Sequence, residues 1–171
     1  MTYTFIHIVR FVIFVVVLVI SFIASTQTHA YFTTNQRALN LGDGSALFLI
    51  DFSFGMKNHE VQIPIFADND TEMNNTSLSY TIFDEDDNVA IGNLSAIVLS
   101  DAQINDEKMY VIPKNHLGKF TLMAVFTPTV TTKVNEYRLQ VTHLPFNFDG
   151  TQQLGLNPSE LRYYTTSLLP L

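Results

Sequence analysis

Apolar and polar residues alternate along much of this chain. In residues 46–55 (ALFLIDFSFG) the even positions are apolar, and in residues 61–67 (VQIPIFA) the odd positions are apolar. The same alternation recurs in residues 78–82, 120–126 and 137–141. A period of two is typical of strands that bury one face. The inward-facing residues that it predicts are Phe48, Ile50, Phe52, Phe54, Val61, Ile63, Ile65, Leu78, Tyr80, Ile82, Phe120, Leu122, Ala124, Phe126, Tyr137, Leu139 and Val141.

Turn-forming sequences separate these apolar runs. They are LGDGS at 41–45, GMKNH at 55–59, DEDDN at 84–88 and NHLG at 115–118. Short strands with turns at regular spacing predict an all-β fold, here a single antiparallel β-sandwich of seven to nine strands. Pro64 has no N–H to donate, so we expect its strand to lie at a sheet edge or to carry a bulge.

A capping pattern near the C-terminus predicts one short helix. Asn157 is a favourable N-cap, Pro158 suits the first helical position, and Glu160 follows as the third helical residue. The predicted helix spans Pro158 to Tyr164, and we expect it to pack against one end of the sandwich.

The first thirty residues differ from the rest of the chain. An uncharged apolar run extends from Phe11 to Ala24, after the basic Arg10 and before the polar segment STQTHA. This layout predicts an N-terminal hydrophobic signal helix in residues 1–30 that is cut after Ala30, leaving a β-sandwich domain in residues 31–171. The alternative is an uncleaved anchor, although the run is shorter than the roughly 20 apolar residues of a membrane span. In both cases we expect a secreted or cell-surface domain.

Charge and composition narrow the range of functions. Residues 31–171 contain sixteen acidic and eight basic residues, a net charge of −8, and the chain has no cysteine. Disulfides and thiolate chemistry are therefore excluded. A negative surface repels phosphate backbones and anionic lipids. We expect no nucleic-acid binding, and membrane contact only through residues 1–30 if they stay uncleaved.

Residues 106–118 read DEKMYVIPKNHLG. Tyr110 precedes the core position Ile112 by two residues and follows Asp106 by four, which is similar to the tyrosine corner of immunoglobulin-like domains. The chain thus resembles the immunoglobulin-like or fibronectin-type β-sandwiches found in small uncharacterised exported bacterial proteins. It departs from them in having no tryptophan, and Ile112 stands where antibody domains have cysteine. The resemblance implies a sandwich fold and no particular activity.

Asp84, Asp86 and Asn88 match the first ligand positions of an oxygen-ligand calcium loop. An EF-hand also needs glycine at the sixth position and a bidentate glutamate at the twelfth, where this chain has Val89 and Ser95. The sequence therefore excludes an EF-hand.

A looser calcium site, in which Asp68 and Asp70 join the acidic loop, is one interpretation of these residues. The other is a solvated hairpin tip between residues 81–83 and 89–91. Calcium needs six or more converging oxygens, and the sequence places only a few of them together. We therefore expect the hairpin tip.

No residue pattern indicates catalysis or a cofactor. His59, His116 and His143 lack the spacing of a zinc or copper site. A G-x-S-x-G nucleophile motif and a phosphate-binding loop are both missing from the sequence. We expect a non-enzymatic module that is structural, adhesive or protein-binding, with a protein or envelope component as its partner.

Two other functions stay open. The chain is a candidate for a surface-assembly subunit that polymerises by β-strand addition, with residues 31–40 exchanged between copies. The third function is a hydrolase with a cryptic site, which a spatial cluster of serine, histidine and aspartate would indicate.

Overall fold

The structure is a computed structural model that describes residues 29–69, 75–129, 135–149, 152–156 and 159–171, and the side chains of all of these except 29–34 and 152–153. The described part of the chain is all-β, which confirms the predicted class. Nine of its strands have four or more residues: β1 (His29–Asn40), β2 (Ala46–Met56), β3 (Val61–Pro64), β5 (Leu78–Asp84), β6 (Gly92–Ser100), β8 (Met109–Ile112), β9 (Gly118–Pro128), β10 (Glu136–Phe148) and β11 (Gln152–Leu156). Three two-residue strands complete the set: β4 (Ala67–Asp68), β7 (Gln103–Ile104) and β12 (Leu169–Pro170).

The strands form two sheets, an arrangement that fits a β-sandwich. The smaller sheet has the antiparallel order β1-β2-β9-β6. The larger sheet has the order β4-β5-β10-β3-β8-β7, and β11 and β12 also pair with β10. Its only departure from the predicted antiparallel pattern, within the described ranges, is the parallel pair β4–β5.

The core lies between the two sheets and contains the residues that period-two alternation predicts. All of these are buried apart from Ile65, which is partly buried. Aromatic rings join the sheets: the centroids of Phe54 and Phe146 lie 4.8 Å apart, and those of Phe126 and Tyr137 lie 5.1 Å apart. These distances are in the range that favours tilted and edge-to-face ring pairs.

Strand β10 changes the face that it buries part-way along. Its register against β5 shifts between Val141 and His143. Before the shift, odd positions such as Leu139 are buried in the core, and after it Leu144 and Phe146 are buried there. A bulge reverses the alternation in this way because it inserts one extra residue into the strand.

Two predictions of detail are wrong. Strand β3 lies inside its sheet, between β8 and β10, and Pro64 is its last residue, beyond the pairing with β10. The missing N–H of Pro64 therefore removes no hydrogen bond from the pairing of β3 with β10.

The predicted C-terminal helix is a single 3-10 turn, Leu161–Tyr163, preceded by Glu160 without a side-chain capping bond. Asn157 and Pro158, on which that prediction depended, lie outside the described residues.

The predicted signal helix stays a prediction, because residues 1–28 lie outside the described part. The predicted cut after Ala30 would separate the first two residues of β1, His29 and Ala30, from the rest of the strand. Over the ranges that are described, no helix has the length and apolarity needed to cross a membrane.

Candidate functional site

The smaller sheet buries one face against the larger sheet and turns its other face outward. Even-numbered residues of β2 and β9 point into the core, so the odd-numbered residues lie on the outer face. Cross-strand pairing continues this face into β1 and β6 in three rows. These rows are Leu39–Leu47–Val125–Ser95, Arg37–Leu49–Met123–Ile97 and Asn35–Asp51–Thr121–Leu99.

Seven apolar side chains lie next to one another across these rows, and we call them the outer apolar face: Leu39, Leu47, Leu49, Ile97, Leu99, Met123 and Val125. Leu49 is buried among its neighbours, and the other six are at least partly exposed. Ile97 is 52% exposed, Leu39 47%, Leu99 45% and Val125 37%. Single exposed leucines are normal on protein surfaces, but a contiguous apolar group is typical of an interaction site.

One end of the outer apolar face is polar and carries charges of both signs. Arg37 and Asp51 form an ion pair with 3.4 Å between Nη2 and Oδ2, and the Thr121 hydroxyl donates a 2.6 Å hydrogen bond to Asp51 Oδ1. A groove of about 530 Å³ lies at this end, lined by residues that include Asp51, Leu99 and Lys119. An apolar centre with a polar end is the composition of an ordinary protein-binding surface.

The acidic loop is the tip of a hairpin. The Asp84 N–H donates to the Asn88 carbonyl, and Phe83 pairs with Val89. Asp84 Oδ1 accepts hydrogen bonds from the backbone N–H groups of Asn88, at 2.8 Å, and Asp86, at 3.0 Å. The backbone bond from Asn88 is the main reason that the pKa of Asp84 lies below its ordinary value.

The remaining loop residues do not converge on a common point. Asp87 adopts a left-handed conformation, with φ of 65°, and accepts a 2.6 Å hydrogen bond from Arg138 Nη2. Asp68 lies exposed in β4, and Asp70 is outside the described residues. In the ranges that the structure covers, no group of three or more His, Cys, Asp or Glu side chains is placed to hold a metal ion. The looser calcium site stays the alternative interpretation of this loop, and Asp84 forms its hydrogen bonds within the turn itself.

The three histidines occupy separate places. His59 Nδ1 lies within hydrogen-bonding distance of Asp149 Oδ2, and His116 Nδ1 lies 3.0 Å from the Lys114 carbonyl oxygen. His143 is buried opposite Ser79 across the β5–β10 pair. His143 Nε2 and Ser79 Oγ have no hydrogen-bond partner among the described atoms, so they do not form an activated serine–histidine pair there.

The outer apolar face was not predicted from the sequence, although a signal for it exists. Residues 46–50 (ALFLI) and 122–126 (LMAVF) are apolar at every position, whereas a half-buried strand needs apolar residues only at alternate ones. Such runs indicate that both faces of a strand avoid water. Within the described residues the larger sheet packs on the first face of β2 and β9, and of the apolar residues on the second face only Leu49 is buried.

No protein-family model, curated protein or solved structure matches this chain. Its function is therefore argued from the outer apolar face and the residues around it.

Proposed function

We propose that this protein is a non-enzymatic extracytoplasmic module that binds a protein or an envelope component through its outer apolar face. The observation that carries the proposal is the continuity of the outer apolar face, in which six of the seven side chains are at least partly exposed. Monomeric soluble proteins rarely expose large contiguous apolar patches, and such patches mark interaction sites.

The energy available from this surface suits reversible binding. Full burial of a leucine or isoleucine side chain is worth about 1.5–3 kcal/mol, so each half-exposed residue of the face contributes roughly 1 kcal/mol when covered. The Arg37–Asp51 pair and Lys119 at the polar end favour partners that place complementary groups there. Affinity thus comes from the apolar centre and orientation from the charged end.

The extracytoplasmic part of the proposal is supported by the N-terminal sequence. Residues 11–24 are apolar, and a basic residue precedes them. The sandwich starts almost directly afterwards, because β1 begins at His29. A short leader followed at once by a folded domain is the usual order in exported proteins.

We also propose that the sandwich is immunoglobulin-like, as the spacing of Asp106, Tyr110 and Ile112 suggests. The Tyr110 hydroxyl donates a 2.9 Å hydrogen bond to the Val98 carbonyl. This bond joins β8 of the larger sheet to β6 of the smaller one. Its acceptor lies upstream of the tyrosine, as in a tyrosine corner, but twelve residues away rather than a few. Ile112 is buried at the expected core position.

The binding proposal is tested by capture from an envelope extract of the source cells. The full chain is expressed, and the folded product is used as bait with the N-terminus that the cell leaves. Val125→Glu places a charge at an exposed position of β9 within the outer apolar face, and Ile104→Glu makes the same change at an exposed position of β7, outside that face. We expect the partner to be retained by the native protein and by Ile104→Glu, and to be reduced at least about tenfold by Val125→Glu. Equal capture by both variants would reject the outer apolar face as the binding site.

Assembly by strand exchange is the second candidate, and one observation favours it. The whole segment 31–40 lies in β1, a strand of the smaller sheet that pairs with β2 alone in the described ranges. Another copy's segment could take the same place.

Leu39 and Leu47 are cross-strand partners, so a disulfide between Leu39→Cys and Leu47→Cys would hold β1 on its own sheet. The chain has no cysteine that would compete for this bond. Exchange predicts that polymers form only when this bond is reduced. Polymers that form equally under oxidising conditions would exclude exchange of β1.

A further inference from the structure

Within the described part of the chain, strand β6 is an outer strand of the smaller sheet that lacks the usual protection against pairing. Over the described residues it pairs with β9 alone, through nine consecutive residue pairs with no bulge. Its sequence, GNLSAIVLS, has no charge and no proline, and the uncharged stretch extends from Asn88 to Ser100. Natural edge strands usually carry lysine, proline, a bulge or a covering segment, because free N–H and C=O groups accept another strand.

The opposite outer strand, β1, has several of these protective features. Its register shifts between Thr33 and Asn35, and Arg37 is exposed on its outward side. The side chains of Gln36 and Asn40 donate hydrogen bonds to the carbonyls of Tyr163 and Pro170, which tie β1 to the C-terminal segment. Of the two outer strands, β6 therefore has fewer features that hinder pairing with another strand.

The larger sheet covers β6 only in part. The Tyr110 hydroxyl bonds to the Val98 carbonyl, which has a second lone pair for another donor. Strand β4 approaches β6 but forms no ladder with it among the described pairings. On the outward side, Ile97 and Leu99 are about half exposed.

We propose that β6 of one copy pairs antiparallel with β6 of a second copy about a twofold axis. The two four-stranded sheets then form one continuous sheet, and the two outer apolar faces form one continuous surface. In a twofold pairing each residue contacts its counterpart reciprocally. With the axis near Ala96, the middle of the strand, Ile97 opposes Ser95 of the second copy and lies diagonal to the second Ile97.

Charge favours β6 as the edge through which a second copy binds. The chain carries a net charge of −7, so two copies repel each other across most of their surfaces. Residues 88–100 contain no carboxylate, and Asp87 and Asp101 stand just outside them. Like charges directly opposite each other destabilise paired strands, and pairing through β6 places none there. Pairing of two such edges buries less surface than a standard interface, which covers about 800 Å² per partner. We therefore expect a reversible, concentration-dependent dimer.

Sedimentation velocity across a wide concentration series tests the dimer. The full chain is expressed, its N-terminus is determined after purification, and all variants are compared in the same form. Ile97→Lys introduces a charge on β6, and Leu39→Lys makes the same change on β1 at a similarly exposed position of the outer apolar face. We expect the native protein and Leu39→Lys to dimerise alike, and Ile97→Lys to weaken the dimer at least about tenfold.

Two results would overturn the proposal. A native protein that stays monomeric at every concentration contradicts it directly. Loss of the dimer in both lysine variants would show that the outer apolar faces pack against each other, rather than the β6 strands pairing. Circular dichroism and thermal melting check that each variant is folded.

Single cysteines keep the proposal testable if Ile97→Lys fails to fold. The chain has no cysteine, so Ser95→Cys on β6 and Asn35→Cys on β1 each provide one exposed thiol. Residue 95 opposes residue 97 of the second copy, so oxidation of an equimolar mixture of Ser95→Cys and Ile97→Cys should give a covalent dimer of the two variants, whereas Asn35→Cys should give none. Cross-linking at Asn35 alone would overturn the proposal. If the native protein dimerises as expected but Val125→Glu captures the partner as well as the native protein does, the proposed function is rejected and the dimer is not.

Discussion

Leu139 is fully buried in β10, where it pairs with Ile82 of β5. Leu139→Ala removes apolar contacts and leaves a cavity that the surrounding strands can only partly fill. We expect the free energy of unfolding to fall by about 2–5 kcal/mol, measured by denaturant titration. Leu41→Ala, in the exposed turn after β1, is the matched control, and we expect it to change stability by less than about 0.5 kcal/mol. A small loss at Leu139 would mean that this face of β10 does not pack against the smaller sheet.

His143 should make stability depend on pH near neutrality. Its ring is buried and packs so closely on Gly155 that a Cβ added there would lie 2.3 Å from Cε1. Burial lowers the pKa of His143 below its ordinary value of 6.5. The unfolded chain therefore takes up a proton at a higher pH than the folded chain. This histidine's contribution to stability is complete above about pH 6.5 and is lost as the pH falls towards the folded-state pKa.

The measurement is the melting temperature between about pH 7.5 and pH 5.5, a range above the ordinary carboxyl pKa values. We expect the native protein to lose more stability across this range than His143→Asn. His116→Asn, at an exposed turn position, should keep the native pH dependence. Parallel curves for the native protein and His143→Asn would contradict the assignment.

The acidic hairpin uses its carboxylates to form the turn. Asp84 Oδ1 accepts two backbone N–H groups, and Asp87 bonds to Arg138. Converging oxygens are what calcium requires, and these two carboxylates already have partners. We expect millimolar calcium to raise the melting temperature no more than magnesium does, in the native protein and in Asp86→Ala alike. A true site would add about 2.7 kcal/mol at a hundredfold excess over Kd. A calcium-selective rise that disappears in Asp86→Ala would therefore establish a metal site in this loop.

Tyr110 joins the two sheets through one hydrogen bond. Tyr110→Phe removes the bond to the Val98 carbonyl and keeps the ring, which contacts Phe120 edge-on. We expect a loss of about 0.5–1.5 kcal/mol in the free energy of unfolding. Tyr163→Phe, at a largely exposed position, is the control and should be close to neutral. Equal effects of the two changes would show that the Tyr110 bond does not stabilise the contact between the sheets.

Period-two alternation predicted the buried faces of β2, β5, β9 and the first half of β10, because each of these strands buries one side against the other sheet. It could not predict the second half of β10, where a bulge reverses the pattern and apolar residues occur on both phases. It also missed β1, whose sequence HAYFTTNQRALN has no regular apolar face. The predicted C-terminal helix depended on a capping pattern at Asn157 and Pro158, which lie outside the described residues, and the described part contains only the 3-10 turn Leu161–Tyr163.

The outer apolar face shows the limit of sequence reasoning for the whole molecule. Leu47 and Val125 are neighbours only because β2 and β9 pair, although almost eighty residues separate them in the chain. A hydrophobic pattern identifies which residues share one side of a strand, but strand order decides which strands lie side by side. The acidic loop, in contrast, is local in sequence, and its hairpin was predicted from residues 81–91 alone. Local chemistry was therefore accessible from the sequence, and the candidate binding surface required the topology.

Export is the final prediction and concerns the whole molecule. The apolar run of residues 11–24 is short, and two small residues, Thr28 and Ala30, precede the predicted cut after Ala30. Cleavage there would remove His29 and Ala30 from β1, leaving ten of its twelve residues to pair with β2. We expect N-terminal sequencing of the exported product to begin at or near Tyr31. Ala30→Arg, which places a large charged residue at the cut, should accumulate the uncleaved precursor. Recovery of Met1 in a membrane fraction of the native protein would instead indicate an anchor, with the outer apolar face then acting close to the membrane surface.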